Sequence, residues 1–254
     1  MIAIVSDIHS NLEALNAVLE DIMKRDISRI ICLGDIVGYG PNPREVLDLS
    51  MNFERSIIGN HDDGVLREPK EFNLRALLAV EWTRRQLNSD VPHERTAKWL
   101  AFLKGLKETD VITVGESEMF MVHGSPRNPI REYVFPRDIL HPRKLQEIFA
   151  RFPRICLIGH SHVPGVYTED IRFYHPDELP QSVYVFDEKK TLINVGSVGQ
   201  PRDGNRKASY ITITDEGDAV VFRRVAYDCE TTKQKIYQIP DLDNSLGDRL
   251  LEGV

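Results

Sequence analysis

The chain has 254 residues, enough for one large domain or two small ones, and its 41% hydrophobic content can build a sizeable core. Lys and Arg number 32 against 39 Asp and Glu, a net charge of −7 that argues against general affinity for nucleic acid or an anionic membrane. No apolar stretch approaches the roughly 20 residues that span a bilayer, the N-terminus runs straight into a strand with no basic leader, and the three cysteines lie in packing contexts, so a cytoplasmic protein with reduced thiols is expected.

Ile2 to Val5 reads as a buried strand, followed by Ser10 and Glu13 at capping-box spacing and by Leu12, Leu15, Val18, Leu19 and Ile22 at helical spacing. Ile30 to Leu33 is the next strand, and the loop through Gly38, Gly40, Pro41 and Pro43 leads into a short helix from Arg44 to Leu49. Ser56 to Ile58 supplies a third strand. Strands and helices alternating at this spacing imply right-handed crossovers and a mainly parallel sheet. From Asn73 to Leu106 the pattern is helical, with two helices separated near Pro92 that form either a cap or part of the sheet's covering layer. Val111 to Val114 and Met119 to Val122 form a hairpin around Gly115 and Glu116, and Ile155 to Ile158 is a further strand.

The last third changes character. Val183 to Phe186 and Leu192 to Val195 bracket the charged turn Asp187 to Lys190, and Tyr210 to Ile213 and Val220 to Val225 bracket Asp215 to Gly217, so two antiparallel hairpins are expected in a second sheet. The expected fold is α/β, a sandwich of two packed sheets in a single domain over residues 1–240. A helix from Thr231 to Tyr237 precedes a polar C-terminal tail, 241–254, expected to be disordered or partner-bound. Hairpin edges in this third make a homodimer an expectation too.

Five apolar runs stop at residues that can ligate a metal: Asp7 and His9, then Asp35, then Asn60 with His61 and Asp62, then His123, then His160 and His162. In an open α/β sheet the carboxyl ends of the strands are where ligands bind. Asp7 and His9 are two residues apart and can chelate one ion from one side of a strand end. Asp35 offers two carboxylate oxygens suited to bridging. Nitrogen and oxygen donors without cysteine favour manganese, iron, zinc, cobalt or nickel over calcium or magnesium, and two such ions suit phosphoester hydrolysis. His93, His141 and His175 follow no strand end and read as surface residues.

In this order, Asp-x-His, Gly-Asp, Gly-Asn-His-Asp, His-Gly and Gly-His-x-His resemble the calcineurin-like metallophosphoesterase superfamily, over roughly Met1 to Gln200. The resemblance implies that Asp7, His9, Asp35 and His162 hold one divalent cation and that Asp35, Asn60, His123 and His160 hold the other, manganese being the first expectation. It implies a double-sheet αββα sandwich of mixed sheets flanked by helices as well, in agreement with the strand pattern, and a catalytic acid at His61 whose ring Asp62 orients. Arg127 and Arg202 are candidate phosphate ligands because a guanidinium grips phosphate bidentately, and Tyr39, beside Asp35, is placed to stack on a base or sugar. The expected activity is hydrolysis of a phosphomonoester or phosphodiester, of nucleotide type and small. The alternatives are a protein phosphatase, a nuclease, which needs a basic groove the sequence does not show, and a non-catalytic metal-binding scaffold.

Overall fold

The computed structural model describes residues 1–89 and 91–254. The first half runs β1 (Ile2–Val5), α1 (Leu12–Lys24), β2 (Arg29–Cys32), α2 (Pro43–Ser50), β3 (Arg55–Ser56), α3 (Asn60–Leu66), α4 (Leu74–Asn88), α5 (His93–Gly105), β4 (Thr109–Val114) and β5 (Ser117–Val122). The second half runs α6 (Pro142–Phe149), β6 (Ile155–Ile158), β7 (Gly165–Thr168), β8 (Arg172–Tyr174), β9 (Val183–Val185), β10 (Thr191–Asn194), β11 (Ala208–Ile213), β12 (Ala219–Val225), α7 (Cys229–Tyr237) and α8 (Ser245–Glu252). The strands form two mixed six-stranded sheets, ordered β3-β2-β1-β11-β12-β9 and β4-β5-β6-β10-β7-β8. Within them β1, β2 and β3 run parallel, as do β5, β6 and β10, so their carboxyl ends share one edge of the sandwich.

The continuous apolar runs follow from burial on both faces. Ile2 and Ile4 of β1 point between the sheets, where they meet Met119, Met121, Leu157, Ile193 and Ile211. Ala3 and Val5, alternating with them, face the helices with Leu15 and Val18 of α1. On β6, Cys156 and Ile158 likewise turn outward to Leu145 and Ile148 of α6. The helices predicted between Asn73 and Leu106 belong to the covering layer, since Val80, Leu87, Trp99 and Leu103 lie in the same core as α1 and α2. Trp99, fully buried, satisfies its indole N–H on Asp48 Oδ1 at 2.8 Å.

Four expectations are corrected. Helix α1 is capped not by Ser10 but by Asn11, whose side chain accepts from Ala14 N. Val183 to Phe186 and Leu192 to Val195 do not form a hairpin: β9 pairs with β12 in the first sheet, and β10 lies between β6 and β7 in the second. The intervening turn crosses from one sheet to the other. The third strand is shorter than expected, β3 ending at Ser56 while Ile57 forms an isolated bridge with Lys107. The polar tail carries helix α8, whose Leu246 and Leu250 are buried against Ile236 and Trp82.

Candidate metal centre

Backbone hydrogen bonds zip the loops after β1 and β2 together: Asp7 N donates to Gly34 O, His9 N to Asp35 O and Ser10 N to Ile36 O, each at 3.0 Å. Within the second sheet Gly159 N donates to His123 O at 2.9 Å, and that sheet joins the first where His160 N donates to Asp7 Oδ2 at 3.0 Å and Ser197 Oγ to Asp7 O at 2.8 Å. Asn194, at the end of β10, bonds both Gly159 O and Ser161 Oγ and so fixes the turn that carries His160 and His162. Gly159 permits a close approach of the two sheets, because a Cβ there would overlap the Ser6 hydroxyl and stand 2.6 Å from Asp7 Oδ2. Asp7, His9, Asp35, Tyr39, His160 and His162 all adopt left-handed backbone angles, with φ between 49° and 66°. Such angles are uncommon outside glycine, are commonest for Asn, Asp and His, and cluster at functional sites.

Each of four imidazoles spends one ring nitrogen on a backbone carbonyl and turns the other inward. His9 Nδ1 meets Val37 O at 3.2 Å, His123 Nδ1 meets Leu33 O at 2.9 Å, His160 Nε2 meets Arg131 O at 3.1 Å, and His162 Nδ1 meets Gln200 O at 2.6 Å. A carbonyl only accepts, so these nitrogens carry the protons and the inward nitrogens present lone pairs. The inward atoms converge in two groups. His9 Nε2, His162 Nε2 and Asp7 Oδ1 form one, with His9 to His162 at 3.2 Å and His162 to Asp7 at 3.2 Å. His123 Nε2, His160 Nδ1 and Asn60 Oδ1 form the other, at 3.1 and 3.2 Å from His123. Asp35 Oδ2 stands between them, 3.6 Å from His9 Nε2 and 3.3 Å from His123 Nε2.

Lone pairs facing one another at these distances fit a cation. Ligands held at about 2.1 Å from a common ion and roughly at right angles lie about 3 Å apart, and Asp7 Oδ1 is buried with no hydrogen-bond donor of its own. The donor set, imidazole with carboxylate and one amide oxygen, suits a first-row divalent ion. Electrostatics agree. Burial alone would raise Asp7 and Asp35, but the imidazoles of His162 and His123 for Asp7, and of His123 and His61 for Asp35, hold both well below the ordinary carboxylate range. Burial draws His160 down to about 3, with His123 adding to it, and lowers His9 and His162 as well. Burial also opposes charge on His123, yet Asp35 and Asp7 outweigh it and lift that ring to about 9, a charge that a cation beside Asp35 would take over.

His61 sits beside both groups. Its N–H donates to Asp35 Oδ1 at 2.8 Å, while its ring packs 4.3 Å from Tyr39, 4.8 Å from His9 and 4.9 Å from Phe72, centroid to centroid. Its Nδ1 is buried and unpartnered, and burial with the nearby Arg202 charge lowers the ring to about 4. The expectation that Asp62 orients this ring is corrected: its carboxylate accepts from Val37 N and Gly59 N, each at 3.1 Å, and so ties the start of α3 to the loop after β2. Burial and Asp35 raise it to about 7.

Of the three substrate candidates, Tyr39 and Arg202 are brought to the site, with the Arg202 guanidinium 5.8 Å above the Tyr39 ring. Arg127 is not free for phosphate, since Glu132 and Glu147 take its guanidinium. Three further residues meet the site with no sequence signal to mark them. Tyr133 stacks on His160 at 3.7 Å, Phe135 stacks on Tyr133 at 5.2 Å, and Arg131, whose carbonyl holds His160, pairs with Asp63 at 2.7 Å. His93 and His141 are exposed and His175 is half-buried against Asp203, apart from the centre as expected.

Two apposed mixed sheets flanked by helices, with these donors gathered where their strand ends meet, have the architecture of a metallophosphoesterase. Residues 1–217 match the family model described as the calcineurin-like phosphoesterase superfamily domain, and the chain belongs to that superfamily. It is 38% identical, over 100% of its own length and 98% of the other's, to an uncharacterized protein of Methanocaldococcus jannaschii. A metallophosphoesterase from Sphaerobacter thermophilus is similar in structure at a TM-score of 0.81 with 36% identity, covering 100% of this chain and 98% of that one. A hypothetical protein of Pyrococcus horikoshii shares the fold at a TM-score of 0.74 with 22% identity and the same coverage. Among the described residues no helix is long and apolar enough to cross a membrane.

Proposed function

We propose that the chain hydrolyses a phosphomonoester or phosphodiester of a small, nucleotide-type molecule, using two divalent cations. Asp7, His9, Asp35 and His162 would hold one, and Asp35, Asn60, His123 and His160 the other, with manganese the first choice and iron, zinc, cobalt or nickel the alternatives. The observation that carries this reading is the pair of lone-pair clusters sharing Asp35. When bound, such ions lower the pKa of water and screen charge on the phosphoryl oxygens.

The side chains supply the rest. His61, neutral at pH 7 in the surroundings of the free site, gains proton affinity when a phosphoryl dianion lies beside it, and then donates to the departing oxygen. Arg202 meets phosphoryl oxygens with a planar fork. Tyr133, partly exposed beside His160, is the aromatic side chain nearest the centre that a base or sugar could reach. Three unpaired, buried cysteines accord with a reducing cytoplasm.

The test is a substrate panel on the full chain reconstituted with manganese, cobalt, nickel, iron or zinc: p-nitrophenyl phosphate, its bis ester, nucleotides, cyclic nucleotides and phosphopeptides. Turnover of the small esters and of one nucleotide class is expected. Two bound ions without hydrolysis of any member would sink the reading and favour a scaffold.

A further inference from the structure

The ring of His160 is held by a segment that no ligand motif marks. Its Nε2 donates to Arg131 O at 3.1 Å, and its face stacks on Tyr133. Both partners lie between β5 and α6, downstream of His123. A carbonyl orients an imidazole only as well as its own backbone is held. Lys144 of α6 holds this backbone from one side, its Nζ donating to Tyr133 O at 2.7 Å. Asp63 of α3 holds it from the other, its Oδ2 accepting from Arg131 Nη2 at 2.7 Å.

The Asp63 side chain is 4% exposed and that of Arg131 26%. Among the described residues Asp63 is the one side-chain partner of the Arg131 guanidinium, whose Nε is buried with none. The other Asp63 oxygen accepts from Arg67, a side chain 67% exposed on the solvent side. Parting Arg131 from Asp63 would leave a charge in these surroundings without its partner, which is costly. The pair therefore clamps α3 to the loop after β5.

Three donors of one cluster depend on those two elements. His123 opens the loop, Asn60 opens α3, and Arg131 O fixes the ring of His160. The other cluster is held elsewhere, His9 by Val37 O and His162 by Gln200 O, and His160 reaches Asp7 through its main-chain N, not its ring. We propose that Asp63 and Arg131 are positioning residues that set the affinity of the cation position built on Asn60, His123 and His160, and that they leave the position built on Asp7, His9 and His162 unaffected. The claim rests on the two-cation reading. A general loss of stability would not choose between two positions that share Asp35, so selectivity is the mark of positioning.

Two measurements on the full chain test the claim. Calorimetric titration of the metal-free protein with manganese should show two steps in the wild type, and His162→Asn identifies the step of the Asp7 position by weakening it. Asp63→Asn and Arg131→Gln should each weaken the other step about 10–100-fold, the scale on which partners behind a metal-binding imidazole act. The double variant should lose little more than either single one, as two residues acting as one pair do. Arg67→Gln, which removes only the exposed partner of Asp63, should alter neither step. The second measurement needs no metal: in proton–nitrogen NMR spectra of the metal-free chain, the His160 Nε2–H signal, identified by its absence from His160→Asn, should be present in the wild type and lost in Asp63→Asn and Arg131→Gln. Unchanged affinities in these two variants, or both steps weakened alike, overturn the proposal. Fewer than two manganese ions on the wild type overturn the two-cation reading instead; a His160 signal that both variants lose then still upholds the clamp, and one that they keep overturns it.

Discussion

Gly159→Ala tests whether the two sheets meet at the site as tightly as described. Gly159 has ordinary backbone angles, so alanine adds no conformational strain and the effect is steric. The new methyl would overlap the Ser6 hydroxyl, stand 3.0 Å from Ser6 Cβ and 2.6 Å from Asp7 Oδ2. Ser6 and Asp7 are fully buried, and Asp7 Oδ2 already accepts from His160 N, so neither can swing into solvent. Overpacking of this kind costs about 1–3 kcal/mol, or roughly 2–12 °C in melting temperature for a chain of this size. The displaced carboxylate should also empty the cation position built on Asp7, His9 and His162 while the other stays filled. Gly105→Ala is the control: a Cβ there meets nothing within 4 Å, and the change should stabilise by about 0.4–1 kcal/mol. Differential scanning calorimetry and elemental analysis read both effects. A Gly159→Ala protein with wild-type melting and two ions per chain would refute the packing argument.

Three further outcomes are expected. His61→Ala should keep both ions by elemental analysis but lose about 10² to 10⁴-fold in turnover, and unchanged turnover would remove His61 from the mechanism. Asp35→Asn, which takes the charge from the carboxylate standing between the two clusters, should weaken both ions together; loss of a single ion would show that Asp35 is not shared. Asp21→Asn should cost about 1–2 kcal/mol at pH 7, because Asp21 accepts from Arg25 at 2.8 and 3.1 Å and from Tyr210 at 2.6 Å. Burial would raise the Asp21 carboxyl, but these donors hold it below 3.8, so its contribution is full above that pH and fades as the pH falls through the folded value. Urea melts of wild type and variant should therefore converge in acid, and a constant gap down to pH 2 would contradict the assignment.

The donors at the strand ends were legible because two local rules coincide there: a run buried on both faces must be apolar, and the residue that leaves it must turn. Pairing was not legible where it depends on distant partners. Asp187 to Lys190 has the composition of a hairpin turn, yet Phe186 N continues the first sheet by donating to Asp218 O while Thr191 N enters the second by donating to Arg154 O. Helix α3 hid behind a motif read only for its donors, since Asn60 to Leu66 has too few apolar residues to show a period. Helix α8 looked like a tail because Leu246 and Leu250 find their partners on α4 and α7. Tyr133 and Arg131 carry no local signal, as only the loop after His123 brings them back to His160.

The left-handed backbone at Asp7, His9, Asp35, His160 and His162 bears on how this centre can be dissected. Asp and His tolerate that conformation several-fold better than most side chains, so the residue types that donate to a cation are also those the local backbone accepts. Alanine at any of these five positions removes a donor and adds conformational strain of about 1–2 kcal/mol at once, and a fall in stability or metal content would then have two causes. Asparagine keeps the backbone tolerance while changing the donor. For this chain, ligand roles are read by Asp→Asn and His→Asn series, with alanine kept for positions such as His61 whose φ is ordinary.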